Sequence, residues 1–226
     1  MLSGPRWLAL EVKYLDRARS FYESILNLPV REATGHEVRF AAGETDLVLR
    51  APGPVPRGGL HTHYALATPP ERYDSWHDRL AERFDLVERT FGDARSLYFY
   101  DVAGNCVEIG ARGEGTDAIS GLFEVVLEVE SLARAVAFYE ALGFDVVDRG
   151  ADRQRVRLTA GDFDLELWEP HLGIADARGG VHVDLGIGAE DPHALADGVE
   201  SQACDVAEID GGVRIRDPDG HSLTLV

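Results

Sequence analysis

The first segment of the chain, Trp7-Leu8-Ala9-Leu10-Glu11-Val12, alternates in the manner of a half-buried strand. Residues 15–26 then read as a helix, with Ala18, Phe21, Tyr22 and Ile25 on one face. Three short strands carry the chain to Arg50, and a Pro/Gly loop follows over residues 51–59. The same order then begins again. A strand over residues 61–67 precedes a helix that Pro69 can start, because proline suits a first helical turn. Tyr73, Trp76, Leu80 and Phe84 form the apolar stripe of that helix and are read as core. Strands near residues 86–90, 96–101 and 105–110 complete the unit.

The second half repeats the first. Glu124-Val125-Val126-Leu127-Glu128-Val129 and a helix over residues 132–142 restate the opening pattern, and Phe21-Tyr22 returns as Phe138-Tyr139. Val38-Arg39-Phe40 returns as Val156-Arg157-Leu158, Asp46 as Asp164, His63 as His182 and Asp101 as Asp217. The offsets stay within about 116–119 residues, the signature of a tandem duplication. A strand over residues 181–187, a helix over 191–203 and closing strands complete the series. The expected fold is α+β: four βαβββ modules in tandem, in an N-terminal domain (1–112), a polar Gly-containing linker (113–120) and a C-terminal domain (121–226). A curled sheet with one covering helix leaves a face free. Two modules side by side should therefore form a cup for a ligand.

Charge narrows the functional classes. Asp and Glu total 40 against 22 Lys and Arg, a formal net charge of −18, and Lys13 is the sole lysine. Such a surface repels phosphate, so neither nucleic acid nor an anionic membrane is an expected partner. It also fits a protein adapted to high salt, where self-repulsion is screened. Two cysteines, Cys106 and Cys204, are too few for a disulfide framework or a cysteine zinc site. No signal peptide is evident, and no apolar run approaches the ~20 residues that span a bilayer. The expectation is a soluble cytoplasmic protein.

The stretch from Tyr98 to Ile109 reads as strand, tight turn and strand, with Glu108 on the returning strand. The chain closes on an echo, Val213 to Leu225, in which Thr224 replaces the carboxylate. Together with Leu15-Asp16-Arg17-Ala18-Arg19-Ser20-Phe21-Tyr22, its counterpart ending in Phe138-Tyr139, and Thr62-His63-Tyr64-Ala65-Leu66, these motifs resemble the vicinal oxygen chelate superfamily. That superfamily includes glyoxalase I, fosfomycin- and bleomycin-resistance proteins, methylmalonyl-CoA epimerase and extradiol dioxygenases. The resemblance covers nearly the whole chain, and it bears on fold more than on reaction.

The resemblance implies one divalent metal in a cup, with four ligand positions. The first-strand position falls on Trp7 or Glu124, the last-strand position of the same module on Val48 or Glu166, the histidine on His63 or His182, and the closing glutamate on Glu108 or Thr224. Halves closing on themselves leave two incomplete sets. Crosswise pairing of modules two and three collects His63, Glu108, Glu124 and Glu166 in one cup and leaves Trp7, Val48, His182 and Thr224 in a silent one, so crosswise pairing is favoured. The implied cofactor is one Mn²⁺, Ni²⁺, Co²⁺, Zn²⁺ or Mg²⁺ ion, a hard cation for an oxygen-rich set. It would act as a Lewis acid on a small substrate with vicinal oxygens, with Glu108 or Glu124 as general base. A glyoxalase-like lyase or isomerase is the first reading. An extradiol dioxygenase using Fe(II) is the second, although Glu124 stands where a histidine is expected. A metal-free binding protein of the bleomycin-resistance type is the third. His61 reads as a rim residue, Cys106 as a buried apolar thiol, and His36, His77, His171, His193 and His221 as surface or loop residues. Arg57 and the loops 51–59 and 171–180 are placed at the lips of the cups. A monomer or a homodimer is compatible with this arrangement.

Overall fold

The computed structural model describes residues 1–53, 61–115, 118–150, 154–170 and 182–226, with the side chains of 61, 62, 182 and 183 excepted. The loop 171–180, His171 and Arg57 lie outside the described residues. Module one comprises β1 (Leu2–Glu11), α1 (Leu15–Ser24), β2 (Val30–Ala33), β3 (Glu37–Ala42) and β4 (Thr45–Arg50). Module two comprises β5 (His61–Thr68), α2 (Tyr73–Ala81), β6 (Val87–Phe91), β7 (Ala94–Tyr100) and β8 (Cys106–Ala111). Module three comprises β9 (Gly121–Glu128), α3 (Leu132–Leu142), β10 (Asp145–Asp148), β11 (Arg155–Ala160) and β12 (Phe163–Trp168). Module four comprises β13 (His182–Ala189), α4 (Pro192–Val199), β14 (Asp205–Ile209), β15 (Gly212–Arg216) and β16 (Ser222–Leu225).

The modules pair crosswise. One eight-stranded sheet runs β14-β15-β16-β13-β1-β4-β3-β2 and joins modules four and one; the other runs β10-β11-β12-β9-β5-β8-β7-β6 and joins modules three and two. The joints are antiparallel pairs of first strands, β1 with β13 and β5 with β9. Helices bury their apolar faces against the sheets: Ala18, Phe21 and Tyr22 of α1, and Ala135, Val136, Phe138, Tyr139 and Leu142 of α3, all enter one continuous core.

The recurring Phe-Tyr pair and the recurring Asp turn serve each other. Asp101 Oδ1 accepts hydrogen bonds from the backbone of Ala103 and Asn105 at 2.8 Å, an Asx turn closed by Gly104 at φ +88°. Its Oδ2 accepts the Tyr22 hydroxyl at 2.6 Å, and Tyr64 lies 2.6 Å from Tyr22. In the echo, Asp217 binds the backbone of Asp219 and His221, and Tyr139 donates to it at 2.9 Å. Each tyrosine thus ties a helix to a turn in another module.

Several expectations need correction. His221 lies in a loop, as read, but is fully buried, with Nε2 2.8 Å from the Glu128 carbonyl. The stripe residue Phe84 lies beyond α2, which ends at Ala81; it packs instead on Phe21 and Phe99. Helix α4 stops at Val199, short of residue 203. In both cases tertiary packing, rather than helical period, places the last apolar residues.

Candidate metal centre

β5 is the middle strand of the site. Ala65 pairs with Glu108 on β8 and with Glu124 on β9, so two carboxylates flank a methyl group. His63 lies two residues earlier and therefore shares the face of Ala65. Its imidazole fills the room that the small residue leaves. Nε2 lies 3.2 Å from Glu108 Oε2 and 3.2 Å from Glu124 Oε1. All three residues are at most 5% exposed, and one donor atom from each lies within 4.8 Å of the others. The ring of His63 is held edge-to-face by Tyr98 at 5.5 Å and Trp168 at 5.7 Å.

The electrostatics are those of a site built around positive charge. Burial pulls the His63 pKa down, but hydrogen bonds and charge from Glu108 and Glu124 outweigh it and push it up to about 10. Burial pushes Glu124 up to about 6, opposed by its hydrogen bond to His63 and aided by the charges of Glu166 and Glu108. Glu108 moves down: burial opposes this, but the bond to His63 prevails. Glu108 Oε2 is buried and makes no hydrogen bond of good geometry. An oxygen-rich donor set with an unsatisfied buried oxygen fits a hard divalent cation.

Glu166 is in the same cup but not in this cluster. Its Oε1 accepts from Arg155 Nη1 at 2.9 Å and from Arg157 Nε at 2.7 Å, and its Oε2 accepts from Trp168 Nε1 at 2.6 Å. Arg157 Nη2 lies 2.6 Å from Glu166 and 3.3 Å from Glu124 Oε2. Arg112 donates to Asp164 at 2.9 Å, and its guanidinium lies 5.0 Å from the Phe123 ring. A cavity of about 340 Å³ brings together His63, Glu108, Glu124 and Glu166 with Arg112, Arg155 and Arg157. Sequence reasoning missed the three arginines. Arg155 and Arg157 alternate on β11 opposite Trp168 and Glu166, so a cross-strand charge comparison would have found two of them.

The cup of modules one and four shows a register that the repeat offsets concealed. Gly186 pairs with both Thr224 and Trp7, as Ala65 pairs with Glu108 and Glu124. The counterpart of His63 is therefore Asp184, not His182, which corrects the sequence expectation by two residues. Asp184 accepts from Trp7 Nε1 at 2.9 Å and from Thr224 Oγ1 at 2.8 Å. The donor trio has become a hydrogen-bonded trio, with the indole of Trp7 packed over Gly186. Burial raises the Asp184 pKa. Cys106 is buried and its thiol is pushed up to about 12 by burial, in keeping with an inert packing role. No described helix is long and apolar enough to cross a membrane.

Residues 4–109 match the family model of the Glyoxalase/Bleomycin resistance protein/Dioxygenase superfamily. No curated protein sequence matches the chain. Among solved structures, a Bacillus subtilis protein named "putative dioxygenase" aligns over 99% of this chain and 84% of its own, at 18% identity and a TM-score of 0.78. Glyoxalase I from Zea mays aligns over 99% of this chain and 92% of its own, at 19% identity and a TM-score of 0.71. These likenesses establish the tandem fold.

Proposed function

We propose that the chain, whose residues 4–109 match the family model of the Glyoxalase/Bleomycin resistance protein/Dioxygenase superfamily, is a divalent-metal-dependent lyase or isomerase with one working cup. The observation that carries this reading is the convergence of His63, Glu108 and Glu124 at a cavity wall. These three residues would hold the ion; Glu166 is an anchor for arginines instead of the fourth ligand that the family pattern implies. When bound, a divalent cation supplies Lewis acidity toward two vicinal oxygens of a substrate. Glu124 would be the general base: Oε1 faces His63, while Oε2 lies on the Arg157 side of the cavity and could take a proton from the carbon beside a substrate carbonyl. Arg157, next to that oxygen, holds the carboxylate in line between transfers. Tyr98 and Trp168 fix the imidazole plane of His63 and exclude water from it.

An extradiol dioxygenase is the second reading, favoured by a cluster of three residues rather than four, which leaves coordination positions free. The test is elemental analysis of protein purified without chelator, followed by two assays. Metal-dependent exchange of substrate C–H for deuterium in small α-hydroxycarbonyl compounds, followed by NMR, supports the isomerase reading. Oxygen uptake with catechols and an iron content near one per chain selects the dioxygenase. Protein that takes up no metal after reloading refutes both.

A further inference from the structure

The cavity has a second recognition element beside the metal-binding residues. Its lining carries three carboxylates, Glu108, Glu124 and Glu166, against three guanidiniums, Arg112, Arg155 and Arg157. A bound divalent ion would bring that lining to two positive charges in excess, which Asp148 and Asp164, paired with Arg155 and Arg112 from outside it, offset, so recognition of an anion turns on which arginine donors are left unused. The arginines are not equally occupied. Arg155 is spent on Glu166 and Asp148. Arg157 uses Nε and Nη2 on Glu166 and Glu124, and no hydrogen bond among the described residues takes its Nη1. Arg112 uses Nη1 on Asp164, and no hydrogen bond among the described residues takes its other nitrogens, while its guanidinium lies 5.0 Å from the Phe123 ring.

The clamp that fixes Arg157 is elaborate for a group that only balances charge. Glu166 is itself locked by Arg155 and by the Trp168 indole. The duplicated half supplies an internal comparison. Arg39 occupies the position of Arg157, facing Val48 where Arg157 faces Glu166. There the guanidinium lies 5.9 Å from the Trp7 ring and bonds Asp46 at 3.0 Å. Arg39 is thus turned onto an indole and the carboxylates of Asp46 and Glu37, while Arg157 is held at the cavity wall.

We propose that the cavity takes a small molecule carrying an oxyanion, a carboxylate or a phosphoryl group, in addition to the vicinal oxygens it offers the metal, and that Arg157 and Arg112 read that oxyanion. The inference rests on the metal-centre reading above. A guanidinium with a fixed plane and unused donors is preorganised for carboxylate or phosphoryl oxygens. Glu166 is then a positioning residue for Arg157.

The test uses Zn²⁺-loaded full-length protein, its metal content measured on the same sample. Catechol, 3,4-dihydroxybenzoate and 3,4-dihydroxyphenylphosphonate are titrated calorimetrically; all present the same vicinal oxygens. The charged probes should bind at least about tenfold more tightly than catechol, the ordinary scale of a charge-assisted contact. In Arg157→Gln the ratio of charged-probe to catechol affinity, taken within the variant and so independent of any change in its metal centre, should fall to within about twofold, the pattern of a lost oxyanion contact. Arg112→Gln, at the exposed rim, should reduce it in part. The tighter of the two charged probes identifies the oxyanion. Equal affinities in the wild type, binding of none of the probes, or a preference unchanged in both variants overturns the proposal and leaves the metal centre standing. Failure to take up Zn²⁺ overturns the metal reading and this inference with it, and the metal analysis shows that it was the metal that failed.

Discussion

Replacing Glu124 by alanine separates a metal centre from a structural ion-pair cluster. The carboxylate is one of three donors within 4.8 Å, and it is buried. Metal bound only by the folded state stabilises it by about 2.7 kcal/mol at a hundred times Kd. For a chain of this size that corresponds to a rise in Tm of about 5–11 °C. Loss of an outer-shell partner alone costs roughly 10–100-fold in metal affinity, so loss of a direct donor should cost at least about 100-fold. At the same metal concentration the stabilisation then falls to about 0.4 kcal/mol, a rise in Tm of about 1–2 °C. The assay is a thermal melt of each protein with chelator and with Mn²⁺ or Zn²⁺. Taking the metal-induced change within each protein cancels whatever the substitution does to the apo fold. An equal metal-induced rise in the wild type and in Glu124→Ala would refute the role of Glu124 as a ligand.

Glu166→Gln should change metal affinity far less than Glu124→Ala, because arginines and Trp168 hold Glu166; a loss as large as that of Glu124→Ala, by metal titration, would make it a ligand after all. Above about pH 4.5 the metal-free protein should lose stability as pH rises, whereas Glu108, held below its ordinary value, acts in the opposite sense at lower pH. His63 is held at about 10 against 6.5 unfolded, so its contribution is complete below pH 6.5 and lost through pH 10. Glu124, at about 6 against 4.5, adds a loss between those values, and denaturant unfolding of wild type and His63→Gln should show the upper window flattened in the variant. Tyr139→Phe removes a buried bond to Asp217 and should cost about 1.5–3 kcal/mol with metal content unchanged, read by thermal melt and elemental analysis. Gly186→Ala puts a methyl group into the Trp7 ring and should lower Tm and shift tryptophan emission as the indole leaves Asp184; unchanged emission would mean the cup of modules one and four has room to spare.

Much of this molecule was legible in the chain itself. The four-module order, the helices at Leu15 and Leu132 and the Asp turns follow from alternation, helical period and internal repeat, while the candidates His63, Glu108 and Glu124 come from the family resemblance. Those features are local, and a duplicated chain states them twice. Tertiary structure decided what depends on partners distant in sequence. Pairing of β5 with β9 and β1 with β13 made the pairing of modules crosswise, a choice that ligand bookkeeping favoured but could not fix. Register decided that Asp184 stands for His63, because a strand is read against its neighbours and not by a constant offset. His221 looked like a loop residue and is buried, since burial of a turn depends on what packs over it, here the backbone of Glu128. Glu166 has the position of a ligand, but Arg155 and Arg157 from the adjacent strand engage its carboxylate. A side chain's chemistry is written in the sequence; which partner reaches it first is set by three-dimensional packing.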